Sequence, residues 1–101
     1  MISDEPVWHS EAIQEAEEAR DWYAERSEAA ARGFLLALDR AIQSIVEAPE
    51  RWPLDRLGCR RHPFTNRYPF TLIYRIRPVR RDLEIVAVAH QKRRPGYWSQ
   101  R

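Results

Sequence analysis

The sequence predicts an α+β fold: an N-terminal antiparallel helix hairpin packed on a three- to four-stranded antiparallel sheet. Two observations carry this. The first half holds two stretches with apolar residues at helical spacing, with almost no linker between them. The second half holds three short stretches of β type, separated by turn residues. The order (short β)-α-α-β-β-β puts the helices on the apolar face of the sheet. With 101 residues, 44% of them hydrophobic, the chain has room for one modest core, so residues 1–101 read as a single domain.

Pro6-Val7-Trp8 suits a short first strand, and Pro6, lacking an amide hydrogen, confines it to an edge. Ser10 is a candidate N-cap, with Glu11 in the first turn of a helix over residues 11–26. Ala12, Ala16, Ala19 and Tyr23 form its narrow apolar stripe; Gln14, Glu15, Glu18, Asp21 and Glu25 are expected to face solvent. Ser27-Glu28 caps a second helix. Its stripe is Phe34, Leu38, Ile42 and Ile45, widened by Leu35 and Ala41, and Pro49 ends it. The small residues of the first helix allow close approach to the larger ones of the second.

Residues 49–58 form a loop punctuated by two prolines and a glycine, with Trp52 expected to fold back on the core. A strand is expected over residues 59–65, weakened by Pro63. Asn66-Arg67 is a turn candidate. Residues 68–77 alternate clearly, with Phe70, Leu72, Tyr74 and Ile76 on one face and Thr71, Ile73, Arg75 and Arg77 on the other. Residues 78–82 close a hairpin to the last strand. In that strand Leu83, Ile85, Ala87 and Ala89 alternate with Val86 and Val88, a run apolar enough to be buried on both faces. Strict alternation places His90 with Val86 and Val88. Together with Arg75, Arg77 and either Arg60 or Arg61, it would line a basic, open sheet face.

Charge is strongly polarised. Residues 1–50 carry 12 acids and four arginines, a net of −8; residues 51–101 carry three acids and 13 Lys/Arg, a net of +10. Of the 17 cations, 16 are arginine, which contacts phosphates bidentately and stacks on bases. Such a surface suits a phosphate backbone or an acidic partner. No apolar run approaches the ~20 residues of a bilayer span. MISDEP lacks the order of a signal peptide. The one cysteine, Cys59, forms no internal disulfide, so a cytoplasmic location is expected. No nucleotide-binding glycine motif, zinc-type spacing, paired-carboxylate site or nucleophile elbow is present, and neither a metal nor a cofactor is expected.

The candidate site follows the last strand. His90, Lys92, Arg93 and Arg94 precede a Pro95-Gly96 turn, then Tyr97 and Trp98. Cations bind phosphates, aromatics stack on bases, and histidine moves a proton near neutral pH. The combination suits metal-free phosphodiester chemistry, with His90 or Tyr97 transferring the proton.

The chain also resembles the RelE/ParE superfamily of type II toxin–antitoxin toxins over nearly its whole length. The resemblance runs through His9-Ser10-Glu11-Ala12, Trp22-Tyr23, Phe34, Pro49-Glu50-Arg51-Trp52-Pro53, Arg67-Tyr68-Pro69-Phe70 and Tyr74-Arg75. It ends on its most specific block, Ala87 to Trp98. It implies the helix-hairpin-on-sheet fold and a cognate antitoxin. Toxins similar to RelE cut mRNA in the ribosome without a metal; toxins similar to ParE poison DNA gyrase on the same scaffold. The basic residues, histidine and tyrosine near the C-terminus favour the first activity, with ribosome and mRNA as partners; the alternative is a gyrase inhibitor without chemistry of its own. In the nuclease reading His90 and Tyr97 act as acid and base. Arg93 and Arg75 stabilise the transition state, and Lys92, Arg94, Arg60, Arg61 and Arg67 hold RNA phosphates. The chain departs from the RelE pattern in lacking its lysine-rich strand and from both patterns in its short, proline-broken first strand.

Overall fold

The computed structural model describes residues 5–64 and 67–101. The elements run β1 (Val7–Trp8), α1 (Ser10–Ala24), α2 (Glu28–Glu47), β2 (Arg60–Pro63), β3 (Phe70–Ile76) and β4 (Leu83–His90). The sheet order is β1-β4-β3-β2, with the helix hairpin on one face. β2, β3 and β4 pair antiparallel, as expected. β1 pairs parallel with β4, so the sheet is mixed rather than wholly antiparallel. β1 sits at the edge that Pro6 predicts.

Element ends follow local chemistry. α1 begins at Ser10, and the N-cap is His9 rather than Ser10: extended His9 accepts the Glu11 amide on Nδ1 at 3.1 Å. Ser27 caps α2 through its hydroxyl, which accepts from the Ala30 amide at 3.2 Å. α2 stops at Glu47, with Ala48 as C-cap immediately before Pro49. β2 is shorter than the expected 59–65, and Thr65 and Asn66 lie outside the described residues. Pro63 is tolerated because β2 is an edge strand.

The main core lies between hairpin and sheet. Ala12 and Ala19 of α1 and Phe34, Leu38, Ala41 and Ile45 of α2 meet Phe70, Leu72, Tyr74, Leu83, Ile85 and Val88. Leu35 does not widen the stripe; it is 43% exposed, and Ala37 is buried instead. Tyr23, Phe34, Phe64, Tyr68 and Phe70 form a network of ring contacts with centroids 5.1–6.5 Å apart. Trp52 packs against this core, as expected.

The largest departure is a register shift. Ile73 pairs with Ala87, but Tyr74 pairs with Ile85, which leaves Val86 as an extra residue in β4. This bulge inverts the alternation. Leu83 and Ile85 face the helices, and beyond the bulge so does Val88, while Val86, Ala87 and Ala89 face away. His90, paired with Phe70, therefore lies on the helix side and not on the face of Arg75. The far face is not an open basic surface either. A second small core of Cys59, Ile73, Val86, Ala87 and Ala89 occupies it, closed by Trp98, which is 4% exposed. Removing those apolar side chains from water favours folding the C-terminal turn back over them.

Candidate functional site

The site is the seam between α1 and the segment after β4. Glu15 lies three residues after Ala12 and four before Ala19, so it belongs to the inner stripe of α1. Its side chain is only 11% exposed, which corrects the solvent-facing position expected for it. β1 is too short to cover β4 beyond Ile85, and side chains take over from there. The Val88 amide donates to Glu15 Oε1 at 3.0 Å, and the Val86 carbonyl accepts from Arg101 Nη1 at 3.0 Å. Two charged side chains thus satisfy backbone groups that a longer β1 would pair.

The same carboxylate gathers the C-terminal segment. Arg101 grips it bidentately, at 2.9 Å on each oxygen, and donates from a side chain only 9% exposed. Tyr97 donates its hydroxyl to Oε2 at 2.6 Å. Arg93 lies 3.6 Å from Oε2, half-exposed, with its guanidinium 3.8 Å above the Tyr97 ring. Gly96, at φ 80°, supplies the left-handed turn that brings Tyr97 and Trp98 back to the sheet. Burial first, then donation to Glu15, pushes the Tyr97 hydroxyl well above the usual phenol range. The hydrogen bonds to Glu15 hold the Arg101 guanidinium further toward its charged form.

Three of the four candidate catalytic residues gather on this side. His90 and Arg93 line one cavity of about 380 Å³ with Glu15, Glu18, Trp22 and Phe70, and Tyr97 meets it through Glu15. His90 Nδ1 accepts the Lys92 amide at 3.0 Å, so in the neutral ring the proton sits on Nε2. Arg75 is elsewhere. It lies on the far face, where Nε donates to the buried Glu84 at 2.7 Å and Nη2 to the Arg101 carbonyl at 3.0 Å.

The candidate RNA-binding residues are dispersed. Arg60 faces the helix side and donates to the carbonyls of Glu50 and Trp52. Arg61 shares the far face with Arg75, 3.7 Å from Asp55 and with its guanidinium 5.1 Å from the Trp98 ring centre. Arg67 lines a separate depression with Ser27, Ala30 and Tyr68. Lys92 and Arg94 are exposed beside the seam. Among the described residues no group of three or more His, Cys, Asp or Glu side chains could hold a metal ion. Cys59 is a buried thiol whose pKa is raised, chiefly by burial, which keeps it protonated and unreactive. Sequence reasoning missed Glu15. Its position four residues before Ala19 was the available signal.

A family model described as the ParE toxin of the type II toxin–antitoxin system parDE matches residues 7–95. No curated relative matches the sequence. Among solved structures, a chain titled "Chromosomal ParDE TA system from P. aeruginosa" is similar, with a TM-score of 0.68 at 16% identity. The match covers 87% of this chain and 98% of that one. At that identity the likeness is one of fold.

Proposed function

Because the chain belongs to the ParE toxin family of type II toxin–antitoxin systems, we propose that it inhibits DNA gyrase by binding, as a single cytoplasmic domain without chemistry of its own. Membership of such a system supplies its other partner, a cognate antitoxin. One observation carries the gyrase reading. Two of the side chains a nuclease would need are committed inside the molecule, Tyr97 to Glu15, and Arg75 to Glu84 on the opposite face from His90. A proton donor held to a carboxylate and raised above the phenol range is badly matched to acid–base work at neutral pH. No described helix is long and apolar enough to cross a membrane.

The mRNA-cleaving reading keeps one point in its favour: His90 and Arg93 line the same cavity, beside exposed Lys92 and Arg94. Induction in a bacterium separates the two. The gyrase reading expects a DNA-damage response while protein synthesis continues at first, and relief when the antitoxin is co-expressed. Immediate arrest of protein synthesis, with new mRNA 5′ ends that require ribosomes, would replace it with the nuclease.

A further inference from the structure

Residues 91–101 are built from their own turns. The Arg93 amide donates to the His90 carbonyl, Tyr97 to Arg94, Ser99 to Gly96 and Arg101 to Trp98, at 2.8–3.3 Å. Among the described residues, one backbone–backbone hydrogen bond ties this segment to a distant part of the chain. It lies at the start of the segment, where the Gln91 amide donates to the Pro69 carbonyl at 2.8 Å. The rest of its backbone joins no strand or helix.

Side chains fasten the segment, and most of them converge on α1. Tyr97 and Arg101 donate to Glu15, and Arg93 lies 3.6 Å from it. Glu11 adds a longer ion pair with Arg101 Nε at 3.6 Å, so two carboxylates face two guanidiniums and the charges balance. On the far face Arg75 Nη2 donates to the Arg101 carbonyl, and Trp98 plugs the second core. The plug is imperfect. Trp98 Nε1 is buried without a hydrogen-bond partner, and the Cys59 thiol beside it is a weak acceptor at best. A buried donor left so poorly paired works against closure. Cys59 itself is 2% exposed under this cover.

We propose that residues 91–101 form a strap that opens from the sheet as one unit, turning about Gln91 with Glu15 as its latch. Opening breaks side-chain contacts and takes no backbone ladder apart. The helix hairpin and the main core stay closed, so opening costs less than unfolding the chain. With the strap away, Ile73, Val86, Ala87, Ala89 and the Cys59 thiol are bared on the far face. The Val86 carbonyl loses Arg101, which uncovers a length of the β4 edge that β1 is too short to reach.

Cys59 reports the opening, because it is the one cysteine of the chain. Its labelling by excess thiol reagent is followed in the native chain, Glu15→Gln and Glu18→Gln, each shown to be folded by its melting transition. Both substitutions remove one negative charge from α1, but Glu18 accepts from Gln14 on its own helix. Glu15→Gln is expected to label at least about tenfold faster than the other two, since the hydrogen bonds it weakens are charge-assisted. Equal rates in all three overturn the proposal. Arg101→Gln removes the same grip from the strap's side, leaves α1 untouched and is expected to label faster as well. It replaces Glu15→Gln in the comparison if that variant does not fold.

Urea gives a second measurement on the native chain. Opening a strap exposes little surface, so at low urea the labelling rate is expected to rise far less steeply than global unfolding does. A slope equal to that of global unfolding overturns the proposal, because Cys59 would then be reached only in the unfolded chain. A shallow slope with no acceleration in either variant assigns the opening to the loop over residues 49–58, and overturns it too. Neither measurement involves gyrase, so the strap and the reading of the target are tested separately.

Discussion

At the scale of single residues, Glu15 and Tyr97 set the chemistry of the seam. Tyr97→Phe removes the phenol that donates to Glu15 at 2.6 Å, a hydrogen bond to a charged group whose loss is expected to cost about 2 kcal/mol. Its pH dependence gives a sharper reading. The folded-state pKa of Tyr97 is raised, by burial first and then by Glu15, above the ~10 of an unfolded chain. Its contribution is therefore fully present below pH ~10 and is lost as pH rises toward the folded value. Tyr23 and Tyr74 are raised by burial as well, so the native chain should lose stability above pH ~10 on all three accounts. Tyr97→Phe should lose it less steeply. Urea denaturation at pH 8 and pH 10.5 measures both effects, and an identical pH slope in the variant would contradict this role for Tyr97.

At the scale of elements, α2 holds a glycine where its propensity argues against one. A Cβ on Gly33 would lie 2.1 Å from the Tyr68 hydroxyl, which donates to the Ala30 carbonyl at 2.9 Å. Alanine gains about 1 kcal/mol of helix propensity, yet Gly33→Ala is expected to destabilise the chain, because α2 or the buried Tyr68 must move. Thermal melting decides the sign, and adding Tyr68→Phe to Gly33→Ala should recover part of the loss. The β3–β4 hairpin has an electrostatic clasp of its own. Arg77 donates to both oxygens of Asp82 at 2.6 Å and lowers the pKa of that carboxyl. A lowered folded pKa adds stability above the unfolded value near 4, and this is lost as pH falls through the folded one. Asp82→Asn should therefore weaken the native chain at pH 6 and flatten its stability profile below about pH 4. Chemical denaturation across that range checks it; a variant profile parallel to the native one would remove the clasp from the account.

The same elements mark what could be read in advance. Ser27, Pro49 and the alternation of residues 70–76 fix their elements through contacts with near neighbours, so a linear reading finds them. His90 was misplaced because one extra residue, Val86, inverts the phase of β4. A bulge is a property of pairing with Ile73 and Tyr74, which strict alternation does not encode. Glu15 was misplaced because a carboxylate on a polar-looking helix is enclosed only when residues 93–101 return to it, and that return depends on Trp98 covering the far face of the sheet. Arg60 and Arg61 divide between the two faces through the register with Tyr74 and Ile73, which the sequence left open.

At the scale of the whole molecule, the separation of charge between the two halves, −8 and +10, is bridged at Glu11 and Glu15, while other cations of the second half meet its own three acids or loop carbonyls. Arg101 and Arg93 meet Glu15, Arg75 meets Glu84, Arg77 meets Asp82, Arg61 meets Asp55, and Arg60 is spent on loop carbonyls. Of the cations left at the surface, Arg67 lines a depression of its own, while Lys92 and Arg94 are exposed beside the seam. On the reading proposed above, this ParE-family chain engages a protein target rather than cutting RNA. The direct measurement is supercoiling of relaxed plasmid by purified DNA gyrase, titrated with the folded chain. The account predicts inhibition that saturates with protein concentration and is reversed by the cognate antitoxin. Full supercoiling at large molar excess of the chain would contradict it.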